Sequence, residues 1–350
     1  MSTSREAITQ LAYMIGQPTH FAVFKKKPED FCVTEDLGFE LSGEGEHHCF
    51  QIRKIGLTTQ QVVRELAKIA EVKEHDVGYA GLKDRMGVCV QWFSVYQPHK
   101  SDIDTSSLAS SALEIVQSTR NSRKIRRGSH RRNEFTIRLR DIDQQAQTDL
   151  NRRLQRIAVD GVPNYFGEQR FGRQNGNVEM AQRLFAGTLK LRKGFKRSML
   201  LSAARSYVFN ELLSHRVRTG QWNRYLKGDV MNLAGTESVF VPESWDETLE
   251  GRLQSADIHP TGALWGSGDL RSGDDAMALE LTVAQKHQEL CDGLEQAGLK
   301  QARRSLRLMV EDVAWEMLDK ELVVRFALPP GAYATSVLRE VCGLKEAIDE

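Results

Sequence analysis

The chain of 350 residues has no apolar run long enough for a membrane-spanning helix or for the core of a secretion signal, and Met1 to Glu6 are polar. A cytoplasmic protein with no membrane association is expected. Cys32, Cys49, Cys89, Cys291 and Cys342 are odd in number and scattered, with no Cys-x-x-Cys pair. That spacing argues against a disulfide framework and a zinc knuckle and leaves reduced, mostly buried thiols. Internal repeats and low-complexity tracts are also lacking, and no heptad pattern is sustained, so a monomer without an obligate protein partner is expected. Overall charge is nearly absent as well, at +1 from 48 basic and 47 acidic residues. What is there, 40% hydrophobic and 27% charged residues, is ordinary for a globular chain of about two domains.

The balanced charge conceals a local asymmetry. Arg120 to Arg132 contains no acid, and its arginines are interleaved with Gly and Ser. Guanidinium forks pair with phosphate oxygens and small residues allow close approach, so Arg126, Arg127 and Arg131 are candidate nucleic-acid contacts. The run leads into Asn133 to Arg140, where Phe135, Ile137 and Leu139 alternate with polar residues as in a half-buried strand. A basic loop anchored to a strand favours a binding surface over a solvated tail. A second basic stretch spans Lys190 to Arg197.

Gly81-Leu82-Lys83-Asp84-Arg85 sets one carboxylate between two cations in a glycine-led turn. Its flanks, Asp76 to Ala80 and Val88 to Val95, are apolar, and the second is rich in β-branched and aromatic residues, as strands are. Lys83 and Arg85 would keep Asp84 ionised and fit to act as nucleophile, base or ion-pair partner. A solvated Lys-Asp-Arg turn is the plainer alternative.

Short alternating segments at Phe31–Glu35 and Cys49–Arg53 read as strands. Thr58 and Gln61 form a capping-box pattern ahead of Val62, Leu66, Ala67 and Ala70 at helical spacing. A second amphipathic helix runs from Ala146 to Ala158, with Gly161 placed to end it. In Gly161 to Gly172, Tyr165, Phe166, Phe171 and Arg170 crowd among glycines; packing is the expected fate of each aromatic, base stacking the alternative. From about Asn177 to Arg307 the pattern is mainly helical, with long helices around Ser198–Val217 and Asp274–Leu294. Strand character returns at Leu322–Leu328, so the first domain is expected to resume after an insertion.

Taken together, Lys25, Pro28-Glu29-Asp30-Phe31, Gly81-x-Lys83-Asp84, Asn133-x-Phe135, the Gly161 to Gly172 loop and Ala334-Thr335-Ser336 resemble the TruD family of tRNA pseudouridine synthases over nearly the whole chain. The resemblance implies an α+β pseudouridine synthase fold built on a mostly antiparallel mixed sheet. It implies a discontinuous catalytic domain, 1–158 and 308–350, interrupted by a TRUD domain over 159–307. It further implies that Asp84 is the single catalytic aspartate, that Phe31, Asn133 and Tyr333 bind the substrate, and that Lys25 contacts phosphate or a carboxylate. Tyr333 departs from the family, which usually has Phe there, and its hydroxyl needs water or a polar neighbour. The implied substrate is uridine 13 of tRNA, with no cofactor and no metal. Two other readings compete: a metal-dependent hydrolase built on His47, His48, Cys49 and Asp84, and an RNA-binding module without catalysis.

Overall fold

The alternation of Phe135, Ile137 and Leu139 buries all three on one face of a nine-residue strand, and that strand joins the two ends of a large sheet. In the computed structural model the described residues are 11–98, 102–108, 110–172 and 175–346. In chain order the strands are β1 (Phe21–Phe24), β2 (Phe31–Asp36), β3 (His47–Ile55), β4 (Val77–Tyr79), β5 (Val88–Tyr96), β6 (Leu113–Asn121), β7 (Arg132–Arg140), β8 (Val162–Pro163), β9 (Met231–Leu233), β10 (Val239–Phe240), β11 (Ile258–Leu264), β12 (Ala302–Ser305), β13 (Arg307–Leu308), β14 (Glu311–Leu318), β15 (Glu321–Leu328) and β16 (Gly343–Glu346). The α-helices are α1 (Thr59–Ile69), α2 (Gln147–Asp160), α3 (Gly176–Phe185), α4 (Phe195–Arg218), α5 (Glu247–Gln254), α6 (Asp274–Lys286), α7 (Gln288–Gln296) and α8 (Ala334–Val341). None of the described helices is long and apolar enough to cross a membrane.

The described residues divide into two units. One comprises Thr19–Ala158, Val310–Ala334 and the residues from Val341 on; the other comprises the residues up to Pro18, Val159–Met309 and Thr335–Glu340. The first holds a ten-stranded sheet in the order β14-β15-β7-β2-β5-β3-β6, with β1 against β7 and β16, and β4 against β5. The β2/β5 and β1/β16 pairs are parallel and the others antiparallel. This is the mixed, mostly antiparallel α+β architecture the sequence predicts.

Helix α1 covers part of that sheet. Its cap forms as the pattern requires: the Gln61 N–H donates to Thr58 Oγ1 at 3.2 Å and the Thr58 N–H to Gln61 Oε1 at 2.8 Å. Val62, Val63, Leu66 and Ala67 then pack on Phe50, Ile52, Val77, Phe93 and Val95. Two charged residues occupy inward strand positions: Glu35, in phase with Phe31 and Val33, and Lys54, in phase with Phe50 and Ile52. Strands β6 and β14 were not expected. β14 alternates between exposed and half-buried residues with no buried side, and β6 merges with the basic run, so that Arg120 and Asn121 end a strand rather than open a loop.

In the second unit α4 is the central element, its Leu200, Ala203, Ala204, Tyr207, Phe209 and Leu213 packed with Val178, Ala181, Leu290, Leu294 and Trp265. The mainly helical reading of this region needs correction, because a sheet of order β10-β9-β11-β12 lies within it. Its strands are two to seven residues long, and β11 carries Pro260 and Gly262, which erase the period-two signal. The helix expected over Asp274–Leu294 breaks at His287, between α6 and α7. Tyr165 and Phe171 are core residues at 1% and 0% exposure, whereas half-buried Phe166 lies edge-on to Phe209 with the Arg304 guanidinium 4.1 Å above its ring.

Gly161 follows α2 at φ +68, and a Cβ there would stand 2.3 Å from the Leu308 carbonyl oxygen. Gly187 has a similar φ of +74 with nothing within 4 Å. Gly187→Ala should therefore cost only the left-handed backbone penalty, about 1 kcal/mol, whereas Gly161→Ala adds a clash with a main chain that cannot yield. Urea unfolding of the two variants checks this, and equal losses would contradict it.

Candidate active site

Asp84 sits in the connection between β4 and β5, which pair as an antiparallel hairpin from Val77↔Val95 to Tyr79↔Phe93. Backbone and side-chain bonds fix this loop from within. The Lys83 N–H donates to Thr59 Oγ1 at 3.0 Å, Thr59 in turn donates to Gln91 Oε1 at 3.0 Å, and Gln91 Nε2 returns to the Gly81 carbonyl at 3.2 Å. Lys54, with 0% exposure, donates from Nζ to the main-chain carbonyls of Asp84 at 2.8 Å and Leu57 at 2.7 Å. Burial pushes the Lys54 ammonium below its usual range, an effect opposed by Cys89 and Asp84. The Cys89 thiol, itself pushed up by burial and so kept a neutral donor, also reaches the Asp84 carbonyl, at 3.4 Å.

The charge pairing differs from the sequence expectation. Neither neighbour serves Asp84: Lys83 Nζ is 2.6 Å from Glu35 Oε2, both side chains being buried, and Arg85 Nε donates to the Gly56 carbonyl at 3.0 Å. The partner is Lys25, whose Nζ lies 2.8 Å from Asp84 Oδ2 with the two side chains 19% and 33% exposed. Of the two expected partners, a phosphate or a carboxylate, the structure gives Lys25 the carboxylate of Asp84. Lys25 adopts φ +57, a conformation a non-glycine residue seldom holds unless its surroundings enforce it. Its ammonium stands 3.9 Å above the Phe31 ring and 5.2 Å from the Phe24 ring, where a ring face attracts a cation.

Phe31 is 5% exposed and belongs to an aromatic row, edge-on to Phe24 at 5.7 Å and 6.0 Å from Phe135, which stacks on Phe326 at 5.3 Å. Gly87 lets the loop pass over it, since a Cβ there would be 2.7 Å from the Phe31 carbonyl oxygen. Lys25, Phe31 and Asp84 are therefore brought together.

Asn133, near the start of β7, pairs in register with Glu35 and with Leu328. Its Nδ2 lies 3.1 Å from His130 Nε2, and its buried Oδ1 has no partner. His130 in turn approaches Gly81, its Cε1 being 3.4 Å from the place of a glycine Cβ. Burial first, and the Lys83 charge second, push the His130 pKa down. Tyr333 is half-buried in the turn that leaves β15, five residues beyond the Leu328 that pairs with Asn133.

The basic loop is pinned rather than tail-like. Buried Ile125 joins Leu37, Cys49, Ala80 and Trp92, its N–H donates to Ser94 Oγ at 3.0 Å, and the Gly128 N–H donates to the Ala80 carbonyl at 2.7 Å. Arg126, Arg127 and Arg131 are exposed; Arg127 bonds the Tyr79 hydroxyl, and the Arg131 stem covers Gly38. Phe195, in the second basic stretch, is 82% exposed.

The donor set of a metal-dependent hydrolase is not assembled. His48 uses both ring nitrogens, Nε2 with Ser118 Oγ at 2.7 Å and Nδ1 with the Ile103 N–H at 3.2 Å. Among the described residues no group of three His, Cys, Asp or Glu side chains could hold a metal ion. Sequence reasoning missed Glu35 and Lys54, although a charged residue at an inward position of an alternating strand was the available signal.

The α+β architecture on this mixed sheet is that of a pseudouridine synthase fold. The same fold is seen in a solved tRNA pseudouridine synthase D from Methanosarcina mazei, with a TM-score of 0.74 and 21% identity over 97% of this chain and 98% of that one. The family model described as tRNA pseudouridine synthase D (TruD) matches residues 7–191 and 177–341. Curated relatives named tRNA pseudouridine synthase D include those of Hydrogenovibrio crunogenus, 43% identical over 97% of this chain and 98% of its own, and Aeromonas salmonicida, 44% identical over 97% and 96%. The chain belongs to the TruD family.

Lys54→Met keeps the bulk of the buried stem but removes the donor shared by two main-chain carbonyls, leaving that of Leu57 unsatisfied and that of Asp84 with only the weak Cys89 thiol donor. An unsatisfied buried group costs about 1–3 kcal/mol, so the unfolding midpoint in urea should fall clearly and amide exchange across residues 81–87 should accelerate. Native-like exchange in that loop would contradict the tether.

Proposed function

We propose that this chain is a tRNA pseudouridine synthase that isomerises uridine 13, with Asp84 as its single catalytic aspartate and no cofactor. The observation that carries the reading is the Lys25–Asp84 pair at 2.8 Å, a half-buried carboxylate whose counter-ion comes from a different strand end rather than from its own turn. The family's chemistry asks for that group. The bond between the ribose C1′ and uracil N1 breaks, the base turns, and C5 bonds to C1′; the proton on C5 leaves and N1 gains one. A carboxylate serves as a nucleophile on C1′ or on ring C6, or as a base on the ribose, and each route needs its anionic form.

The uridine must leave its stack to reach Asp84. In this reading Phe31 is the floor beneath the pair, while Asn133, which bonds His130, and Tyr333, in the turn that leaves β15, bind the base. Arg126, Arg127 and Arg131 meet phosphates from the exposed side of the pinned loop. The domain assignment that accompanies this reading is a catalytic domain over 1–158 and 308–350, interrupted by a TRUD domain over 159–307. The protein acts as a cytoplasmic monomer on tRNA, without a membrane or an obligate protein partner.

The test is to incubate the protein with unmodified tRNA transcripts, mark pseudouridine with a carbodiimide and map the stops by primer extension. A stop at position 13 is expected without added metal or cofactor. Stops only at other positions would overturn the site assignment, and no stop in any transcript would favour a binding module.

A further inference from the structure

The turn that carries Asp84 inverts the usual placement of side chains in a surface loop. Lys83 points inward, its side chain 6% exposed against Glu35, while Leu82 beside it is 67% exposed and Met86 61%. Charged groups ordinarily take the water and apolar ones are covered. Among the described residues only Phe195 and Val159 are more exposed large apolar side chains, so two of the four most exposed stand within two positions of the candidate catalytic carboxylate. A single exposed leucine needs no explanation, but this concentration does.

Neither exposure comes from a slack backbone. The chain is anchored on both sides of Leu82, by the bond of the Gly81 carbonyl to Gln91 and by that of the Lys83 N–H to Thr59. Met86 stands between Arg85, whose side chain bonds the Gly56 carbonyl, and Gly87, whose N–H donates to the Arg85 carbonyl at 3.1 Å and which presses on Phe31. Two apolar side chains are therefore held out by a fixed loop, two residues before and two residues after Asp84. A uridine that leaves its stack to reach Asp84 leaves a gap between its neighbouring bases, and the energy of that gap decides how readily the base stays out. Apolar side chains, leucine and methionine among them, fill such gaps in proteins that unstack nucleic acid.

We propose that Leu82 and Met86 are the wedge of this site: they enter the RNA stack beside the target nucleotide and fill the space its base vacates, while Asp84 between them meets the extruded uridine. The proposal rests on the reading of a uridine in RNA as the substrate. It gives the turn a mechanical function separate from the chemistry of the carboxylate and from the phosphate contacts of the basic loop.

Both side chains are exposed, so their replacement leaves the core intact. Two measurements on the full chain test the wedge. In single-turnover pseudouridine formation, the variant carrying Leu82→Ala and Met86→Ala should be slowed roughly tenfold on a tRNA transcript whose target uridine is base-paired. On a transcript with a mismatch opposite that uridine it should return close to the native rate, because a mismatched base costs less to extrude. In the second measurement, a transcript with 2-aminopurine beside the target uridine should brighten on binding the native protein, as the probe loses its stacking neighbour. The variant should brighten it less, with an unchanged salt slope of binding, since neither side chain meets a phosphate. Equal slowing on paired and mismatched transcripts, a native rate on both, or native brightening by the variant overturns the proposal. The chemistry at Asp84 fails separately, through absence of pseudouridine with the native protein, and the 2-aminopurine comparison then still decides the wedge.

Discussion

A buried ammonium fixes the geometry of the candidate site. Lys54, fully enclosed in the sheet, bonds the main-chain carbonyls of Asp84 and Leu57, and so ties the Asp84 turn to the strand beneath it. Burying a lysine is costly unless its donors are satisfied, and the two carbonyls together with the Cys89 sulfur nearby supply that satisfaction. With the backbone tethered from below, the Asp84 side chain is left to face Lys25, which reaches it from the end of β1 in a strained left-handed conformation over the Phe31 ring.

The charges around this turn are sorted with little redundancy. Glu35 takes Lys83 in a buried pair and also accepts the Trp92 N–H at 3.2 Å, so removing either partner would leave a charge enclosed without its counter-ion. Arg85 is spent on a carbonyl. Among the described residues the Asp84 carboxylate therefore forms its ion pair with Lys25, and that cation is partly exposed.

Much of this was legible before any coordinates, for reasons that differ from element to element. The β7 alternation, the Thr58 cap and the glycine stop after α2 are local signals, and each reads directly from a few neighbouring residues. The short strands of the second unit were not legible, because β11 has Pro260 and Gly262 where a strand would show alternation, and its Gly262 is set by close approach to Leu212 and Leu306. Asp84 could be singled out from its turn, yet its partner could not: Lys25 lies 59 positions away, and the nearer cations Lys83 and Arg85 were the obvious but incorrect choice. Long-range pairing is decided by sheet register, which here sets β2 beside β5 in parallel and brings Phe31 under the turn that precedes β5.

The most direct measurement is tritium release from tRNA labelled at uridine C5, comparing the native protein with Asp84→Asn, which preserves size while removing the charge, at matched tRNA binding. If Asp84 is the catalytic group on the tethered turn, the native protein releases tritium and the variant releases none above background while still binding tRNA. Release by Asp84→Asn at the native rate would contradict the account.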